Sequence, residues 1–359
     1  MFVAWRDLGF AKGRFALMGT VIVLITVLVG LLSGLTAGLG RENTSAITAL
    51  PADHLVFPEP AEGGAVAFAD AALPERTVRE WARVPGVRRA EPLGITTTKA
   101  EAGGTTAAVS AFGVRPGSAL APAEGAVGDG EAVLSEQAAE ALGVRAGGAL
   151  TLGGRSVRIT AVSGRAMYSH TPVIWTSLGD GRKAAGGPGA PGGATVLALS
   201  TTGAADLAAA DRALGTTTVT TEDSLEAIGS YSAENGSLQL MRGFLFAISA
   251  LVIGAFFTVW TIQRSGDVAV LKALGASTGF LLRDALGQAV VLLVAGTGLG
   301  TAVAAGVGAA VGGTVPFVLD ASTVLVPALI MIALGAAGAA LSIRRITSVD
   351  PLTALGSAR

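Results

Sequence analysis

The sequence has 359 residues, of which 51% are hydrophobic and only 14% are charged, and its mean hydropathy is +0.61. Soluble domains carry about 25% charged residues, so this composition excludes a wholly soluble protein. The formal net charge of −1 gives no indication of nucleic-acid binding. The chain contains no cysteine, which excludes disulfides, thiol catalysis and cysteine-ligated metals.

Four long apolar runs predict four transmembrane helices, because about 20 apolar residues cross a bilayer. In chain order they occupy residues 15–40, 243–263, 285–310 and 321–343. The first run could instead be a cleaved signal peptide, but it is far longer than the about 7–15 apolar residues of such a signal. An outside turn is predicted at residues 311–320, where glycines and a proline interrupt the pattern.

Lysine and arginine residues near the ends of these runs predict the orientation of the chain. They concentrate in the N-terminal segment 1–14, in the insert 264–284 and in the tail 344–359. The positive-inside rule places these three segments in the cytoplasm. Residues 41–242 then form an extracytoplasmic domain between the first two helices. We therefore expect a multi-pass protein of the plasma membrane with both termini cytoplasmic.

Residues 41–242 predict an α+β fold. Short β-rich runs alternate with Gly, Pro and polar turns, and they include HLVFP, GITTTKA, TAAVSAFGV, EAVLS, SVRITAVS, PVIWT and TVLALS. Helices are predicted at TVREWARVPGV, TGAADLAAADRAL and EDSLEAIGSYSAENGSLQLM, and at SEQAAEALGV between an N-capping Ser135 and a terminating Gly143. Asp180–Ala194 predicts a loop rich in Gly, Pro and Ala. The predicted fold class is a membrane protein with four transmembrane α-helices and an α+β extracytoplasmic domain inserted between helices 1 and 2.

Glycines recur at four-residue spacing in two of the apolar runs, and this spacing predicts close helix packing. They are Gly30, Gly34 and Gly38 in the first run, and Gly296/Gly300 and Gly308/Gly312 around the third. No ionisable residue interrupts the four runs, which argues against a proton relay or an ion-coupled carrier.

The sequence contains few of the motifs expected of an enzyme. It has no G-x-x-x-x-G-K-[ST] phosphate loop, so the chain is not expected to hydrolyse ATP itself. His54 and His170 are its only histidines, and zinc-site and metalloprotease motifs are missing. We predict no catalytic residue, no metal site and no intrinsic cofactor, and a membrane-anchored enzyme is the least favoured class.

Three stretches resemble the FtsX/MacB-type family of ABC transporter permeases. GDVAVLKALGAS at 266–277 resembles the E-I-G-I-L-[KR]-A-[LI]-G-A segment of that family, and the ending SIRRITSVDPLTAL is similar to its closing Arg-Arg…Asp-Pro-x-x-Ala-Leu. EAVLSEQAAEALGVRAGGALTLGG…VRITAVSG resembles its extracytoplasmic core. Asp267 stands at the usual Glu position and Gln288 stands where a Glu often opens helix three, so salt bridges there are expected to differ.

The resemblance implies a permease subunit that is driven by a separate ABC ATPase and that pairs as a homodimer. The insert 264–284 would be a coupling segment with an apolar knob, small residues for close approach, a helix cap and polar groups that set the register. These candidate residues are Asp267, Lys272, Leu274, Gly275, Ala276 and Ser277. A solvated loop with ordinary positive-inside charge is the alternative.

Candidate substrate ligands cluster in the extracytoplasmic domain. Met167, Tyr168 and His170 lie within four residues, and Tyr231 is the other tyrosine of the chain. Tyr, His and Met are all haem-iron ligands. If the strand stays extended, His170 shares a face with Tyr168, and the two tyrosines converge if Ser224–Leu240 continues helix two above the membrane. An ordinary strand end is the alternative.

Two segments narrow the resemblance further. YSHTPVIW and GLTAGLGRENTSAI look like the branch of the family that includes haem exporters and glycolipid exporters. This implies export of haem or another amphiphile, with ATP used by the partner subunit. The alternative function is an FtsX-like transmembrane signal transmitter that controls an extracellular cell-wall hydrolase or another partner.

Overall fold

The computed structural model describes residues 12–61, 63–69, 71–185, 193–263, 265–312 and 315–347. The chain separates into two compact units. One, Leu39–Gly236, is here named the domain unit, and the remainder of the chain is named the membrane unit. Residues 1–11 of the predicted N-terminal segment, 186–192 of the predicted loop and 348–359 of the predicted tail lie outside the described residues.

The elements alternate between short strands and helices in the middle of the chain. The helices are α1 (Lys12–Thr48), α2 (Glu75–Trp81), α3 (Glu136–Leu142), α4 (Leu178–Ala184), α5 (Leu207–Leu214), α6 (Gly229–Gln263), α7 (Ser265–Ala273), α8 (Thr278–Val311) and α9 (Ala321–Thr347). The strands are β1 (His54–Pro58), β2 (Val87–Ala102), β3 (Thr105–Val114), β4 (Glu131–Leu134), β5 (Ala149–Leu152), β6 (Arg155–Val162), β7 (Met167–Tyr168), β8 (Thr171–Ser177), β9 (Val196–Thr201) and β10 (Thr216–Thr220).

Four helices, α1, α6, α8 and α9, are long and apolar enough to cross a membrane, which confirms the predicted fold class. All four extend beyond their predicted apolar runs, and α8 begins at Thr278 rather than at 285 while α9 ends at Thr347 rather than at 343. Helix α1 continues past residue 40 to Thr48, and α6 begins at Gly229, well before residue 243. A 3₁₀ turn, Asp223–Ala227, precedes α6, so the helix predicted across this region is interrupted at Ile228.

The glycines of α1 and α8 do allow close packing, as predicted. A Cβ atom added at Gly30 would lie 2.9 Å from the Cβ of Ala304, and one added at Gly300 would lie 2.7 Å from the Cβ of Thr26. A Cβ atom at Gly38 would overlap the carbonyl group of Pro316. Helix α1 therefore contacts α8 and the segment that follows α8 through positions that admit no side chain.

The domain unit is built on a ten-stranded sheet with the order β10-β1-β9-β2-β3-β8-β4-β6-β5, in which β7 pairs with β8. Strand β2 also pairs with β5. This pairing closes the strands β2, β3, β8, β4, β6 and β5 into a ring. The pairs β3–β8 and β4–β6 are parallel, and the other pairs are antiparallel. The long strand β2 serves both parts because it pairs with β9 along its first half and with β3 along its second half.

The ends of α1 and α6 pack onto the core of the domain unit. One apolar cluster contains Phe57, Phe112 and Trp175 from the sheet, together with Ile47 of α1 and Ile228 just before α6. All five side chains are less than a tenth exposed. The two helices are thereby fixed to the same face of the sheet.

Local signals in the sequence explain several helix ends. The Ser135 side chain accepts a hydrogen bond from the Ala138 N–H, and Gly143 ends α3 at φ +65°, as predicted. The loop prediction at Asp180–Ala194 is wrong at its start, where α4 covers residues through Ala184. Ser177 caps that helix, and the buried Asp180 carboxylate accepts a bond from the Gly130 N–H at 2.7 Å.

Candidate functional site

The hairpin of β7 and β8 turns through two residues in a rare backbone conformation. Met167 pairs with Pro172 and Tyr168 with Thr171, which leaves Ser169 and His170 as the loop. Their φ angles are +48° and +60°. Two-residue hairpin loops favour such angles but usually place Asn and Gly there, and the left-handed conformation costs other residues about 1–2 kcal/mol each. Neighbouring contacts must therefore hold this turn.

The turn also overturns one expectation from the sequence. The sequence places His170 on the same face as Tyr168 if the strand stays extended through both residues. Because both loop residues are left-handed, the strand ends at Tyr168, and the His170 ring lies at the tip of the turn instead. The sequence lacked the Asn-Gly pair that ordinarily signals this geometry.

Backbone hydrogen bonds join the turn to the end of α1. The Ser169 N–H donates to the Asn43 carbonyl at 3.0 Å, and the His170 N–H donates to the Glu42 carbonyl at 3.2 Å. The Met167 N–H donates to the Ser45 hydroxyl at 2.9 Å. These three contacts, two to backbone carbonyls and one to a side-chain hydroxyl, fix the register between the hairpin and α1.

The buried side chain of Asn43 connects this turn to α6. Its Nδ2 lies 2.9 Å from Nε2 of His170 and donates to Oε2 of Glu234 at 3.1 Å. Its Oδ1 accepts a bond from the Ser230 hydroxyl at 2.6 Å, and that hydroxyl lies 2.8 Å from the Ser169 hydroxyl. Asn43 is only 1% exposed, so loss of these partners would leave a buried amide unpaired, at a cost of about 1–3 kcal/mol.

His170 lies between two carboxylates that come from different helices. Its Nε2 is 3.0 Å from Glu234 of α6, and its Nδ1 is 3.5 Å from Glu42 of α1. When Nε2 carries a proton it donates to Glu234, and the Asn43 amide then also donates to that carboxylate. All three side chains are about a third exposed or more, so each contact contributes at most about 1 kcal/mol.

We name this network the polar junction. It consists of Glu42, Asn43, Ser169, His170, Ser230 and Glu234. Every member belongs to the domain unit. It binds the end of α1, the β7–β8 turn and the start of α6 to one another. Only His170 among its members was singled out from the sequence.

Tyr168, a predicted ligand, is part of the apolar core. Its ring packs edge-on against Phe68 and Phe112, with ring centres 5.8 and 5.6 Å apart, and the side chain is 7% exposed. Burial raises the pKa of the Tyr168 phenol, which opposes the tyrosinate form that would bind ferric iron.

The other predicted ligands lie close by. Tyr231 is half-buried on α6 and packs on the same apolar cluster as Tyr168, while Met167 is half-buried in β7. The region therefore gathers Met167, Tyr168, His170 and Tyr231, with His170 at the tip of the turn. Within the described residues, no group of three or more His, Cys, Asp or Glu side chains is arranged to hold a metal ion.

The predicted coupling segment forms a helical turn with an exposed apolar tip. Helix α7 ends at Ala273, and Gly275 adopts φ +93° while its neighbour Ala276 donates an N–H to the Leu271 carbonyl at 2.9 Å. Ser277 then caps α8 by accepting a bond from the Phe280 N–H at 3.3 Å, as predicted. Four residues, 274–277, thus connect α7 to α8.

Leu274 at this tip is 79% exposed, the highest exposure among the large apolar side chains that the structure describes. Val270 and Phe280 beside it are also more than half exposed. Asp267 and Lys272 belong to α7, with Lys272 in its last turn. Gln288, at a position where the resemblance suggested Glu, is buried and donates to Asp284 at 3.0 Å.

The chain matches two family models, a MacB-like periplasmic core domain over residues 15–217 and an FtsX-like permease C-terminal domain over residues 240–351. A protein of Staphylococcus haemolyticus, described as a candidate hemin transport system permease, HrtB, is 27% identical over 99% of both chains. An uncharacterised ABC transporter permease of Mycobacterium bovis is 26% identical, also over 99% of both. The crystal structure of the extracellular domain of the transporter YknZ from Gram-positive bacteria matches 46% of this chain and 97% of its own, with 13% identity and a TM-score of 0.36. The similarity to the two permeases runs the full length of the chain.

Proposed function

Because this chain belongs to the MacB-like and FtsX-like family of ABC transporter permeases, we propose that it is the membrane half of an efflux system that exports an amphiphile. The four apolar helices and the permease relatives establish a multi-pass membrane protein. Hemin is the first substrate to test, because a relative of equal extent is described as a candidate hemin transport permease.

The energy source is a separate ABC ATPase, and two permease chains pair with two ATPase subunits. The exposed Leu274 tip supports this proposal because a surface of this kind needs a partner that covers it. Gly275 lets a partner backbone approach closely, and the cap by Ser277 keeps the turn rigid. Both termini and the tip lie in the cytoplasm, where the ATPase binds ATP.

The polar junction is the observation that carries the mechanical part of the proposal. Helices α1 and α6 each run unbroken from the apolar run into the domain unit. Because Asn43 ties both helix ends to one hairpin, movement of either helix must move the sheet. The junction stays closed during the cycle, and ATPase movement thereby changes the domain unit.

The substrate contacts the region around the β7–β8 hairpin, where it meets the more accessible of the protein's side chains. His170 and Tyr231 are the proposed contacts, with Met167 beside them, whereas the buried Tyr168 supports the hairpin from beneath. Iron ligation at His170 would have to compete with Glu42 and Glu234 for the ring nitrogens.

Transport is tested with the full chain reconstituted in vesicles together with the ATPase that co-purifies from its own host. ATP hydrolysis should rise on addition of hemin, and hemin should move only when the ATPase is active; an ATPase that cannot hydrolyse ATP is the control. Stimulation by a different amphiphile and not by hemin would overturn the substrate alone. A co-purifying extracytoplasmic protein, with no stimulation by any amphiphile, would instead indicate a signal transmitter.

Ligation is tested by titrating the purified chain with hemin and following the Soret band. The band should shift in the natural protein and shift less in His170→Ala and Tyr231→Phe. Tyr168→Phe is the matched control, and it should bind as the natural protein does because the phenol is buried. A loss confined to Tyr168→Phe would restore the tyrosinate hypothesis.

A further inference from the structure

The membrane unit contains a small pocket where three threonines from three helices meet. Thr26 of α1, Thr301 of α8 and Thr323 of α9 all line it. Its walls also include Gly30 and Gly34, where an added Cβ atom would collide with Ala304 and with the Phe317 ring. Polar side chains from three different helices are otherwise unexpected in an apolar bundle, since each needs a hydrogen-bond partner.

Thr26 is the exceptional member of this set. It is 3% exposed, and its hydroxyl is buried without a protein partner. Two other threonines of α1 bond to the carbonyl four residues earlier: Thr36 donates to Leu32 and Thr44 to Gly40, each at 2.8 Å. Thr26 makes no such bond, so its hydroxyl remains available to a group inside the pocket.

A backbone carbonyl of α9 also lacks its usual hydrogen-bond partner. Pro327 lies inside this helix and also lines the pocket. A proline has no N–H, so the carbonyl four residues earlier, that of Thr323, loses its usual helical donor. The Thr323 hydroxyl is already engaged, because its one proton is shared between the Val318 and Asp320 carbonyls and its oxygen accepts the Asp320 N–H.

The size of the pocket limits what can bind. Its volume is about 20 Å³. A cavity must have at least about 10–15 Å³ to hold one buried water, and that water needs two to four polar partners. The pocket is therefore large enough for a water molecule and far too small for an amphiphile.

We propose that this pocket is a binding site for one ordered water molecule. The water donates to the Thr323 carbonyl and exchanges a hydrogen bond with the Thr26 hydroxyl, with Thr301 as a third partner. It replaces the helical bond that Pro327 cannot make. Through it α1 and α9 are connected by a polar bridge that can break and reform when α9 bends at its proline.

The site is tested in the full chain by two independent measurements. A high-resolution map of the natural protein should contain one density peak between Thr26 and Thr323. Hydroxyl-radical labelling by short X-ray pulses, which marks side chains beside bound water, should label Phe317 and Pro327 on the pocket wall.

The decisive variant is Thr26→Val, which keeps the side-chain shape and removes the hydroxyl. Both the density and the labelling should be lost. Thr36→Val is the matched control, because this buried hydroxyl is satisfied by its own helix, and it should change neither. Pro327→Ala, which restores the backbone donor, should also weaken the density.

Several outcomes would overturn the proposal. They are an empty pocket in the natural protein, labelling that is unchanged in Thr26→Val, and density surrounded by more oxygens than a water can bond, which would mark a cation. Size-exclusion profiles identical to that of the natural protein establish that each variant is folded. The outcomes that would overturn the water site leave the transport proposal untouched.

Discussion

The side-chain nitrogen of Asn43 lies 2.9 Å from Nε2 of His170, although 127 positions separate the two residues in the sequence. This buried amide therefore sits where a helix end meets a strained hairpin. Asn43→Ala should lower the stability of the domain unit by about 1–3 kcal/mol, because the partners of the amide lose their hydrogen bonds. It should also reduce substrate-stimulated ATP hydrolysis more than basal hydrolysis. Thermal unfolding of the full chain and ATPase assays in vesicles measure the two effects.

Thr48→Ala is the matched control for Asn43→Ala, since Thr48 is an exposed residue at the end of the same helix. It should leave both measurements unchanged. Full stimulation in Asn43→Ala, despite a lowered melting temperature, would show that the junction is purely structural.

A disulfide across the junction tests whether it stays closed. The Ser169 and Ser230 hydroxyls are 2.8 Å apart, and the chain has no other cysteine to interfere. The Ser169→Cys/Ser230→Cys double variant should form the bond on mild oxidation and keep its stimulated ATPase activity. Activity that disappears on oxidation and returns with a reductant would show that the junction must open.

The tip at Leu274 should be where the ATPase is held. Leu274→Asp places a charge on the exposed apolar contact, so co-purification of the ATPase and its stimulation should be lost while the permease remains in the membrane. Ala204→Asp, at an exposed position on the domain unit, is the control for added charge. Unchanged transport in Leu274→Asp would mean that the turn is only a connection.

Membrane topology can be tested with single cysteines. Ser277→Cys should react with an impermeant maleimide only after cells are opened, because the insert is expected in the cytoplasm. Thr105→Cys, at an exposed end of the β2–β3 turn, should react in intact cells. Equal labelling of both positions in intact cells would contradict the four-helix topology.

Close packing of α1 predicts different effects of substitution at two nearby glycines, Gly38 and Gly40. Gly38→Ala should destabilise the protein by about 1–3 kcal/mol, because the added methyl would overlap the Pro316 backbone carbonyl, which cannot rotate away. At Gly40 nothing lies within 4 Å of such a methyl. Gly40→Ala should therefore be neutral or stabilising by up to about 1 kcal/mol, from helix propensity alone. Thermal unfolding in detergent distinguishes the pair, and equal shifts would contradict the packing described.

Features governed by neighbouring residues could be predicted from the sequence. Ser135, Gly143 and Ser277 act within one helical turn, and each ends or begins a helix where its chemistry requires. The apolar runs identify the membrane helices because length and composition alone decide that a bilayer can be crossed.

Features governed by distant residues could not be predicted. The polar junction depends on a contact between Asn43 and Glu234, which is 191 positions away in the sequence. No local sequence pattern indicates that contact. The Ser169–His170 turn was missed for the same reason, since bonds from α1 hold a conformation that these residues would not choose alone. Helix α4 was missed because its carboxylate Asp180 is stabilised by a partner from another loop.

The first and last strands of the domain unit are neighbours. Strand β1 pairs antiparallel with β10, from His54 opposite Thr220 to Pro58 opposite Thr216. The chain therefore enters and leaves this unit at adjacent points, which is the arrangement that lets one folded body be inserted into another without disturbing it. In evolutionary terms the unit is a cassette, because its contents can diverge while the chain continues to enter and leave it at the same two strands.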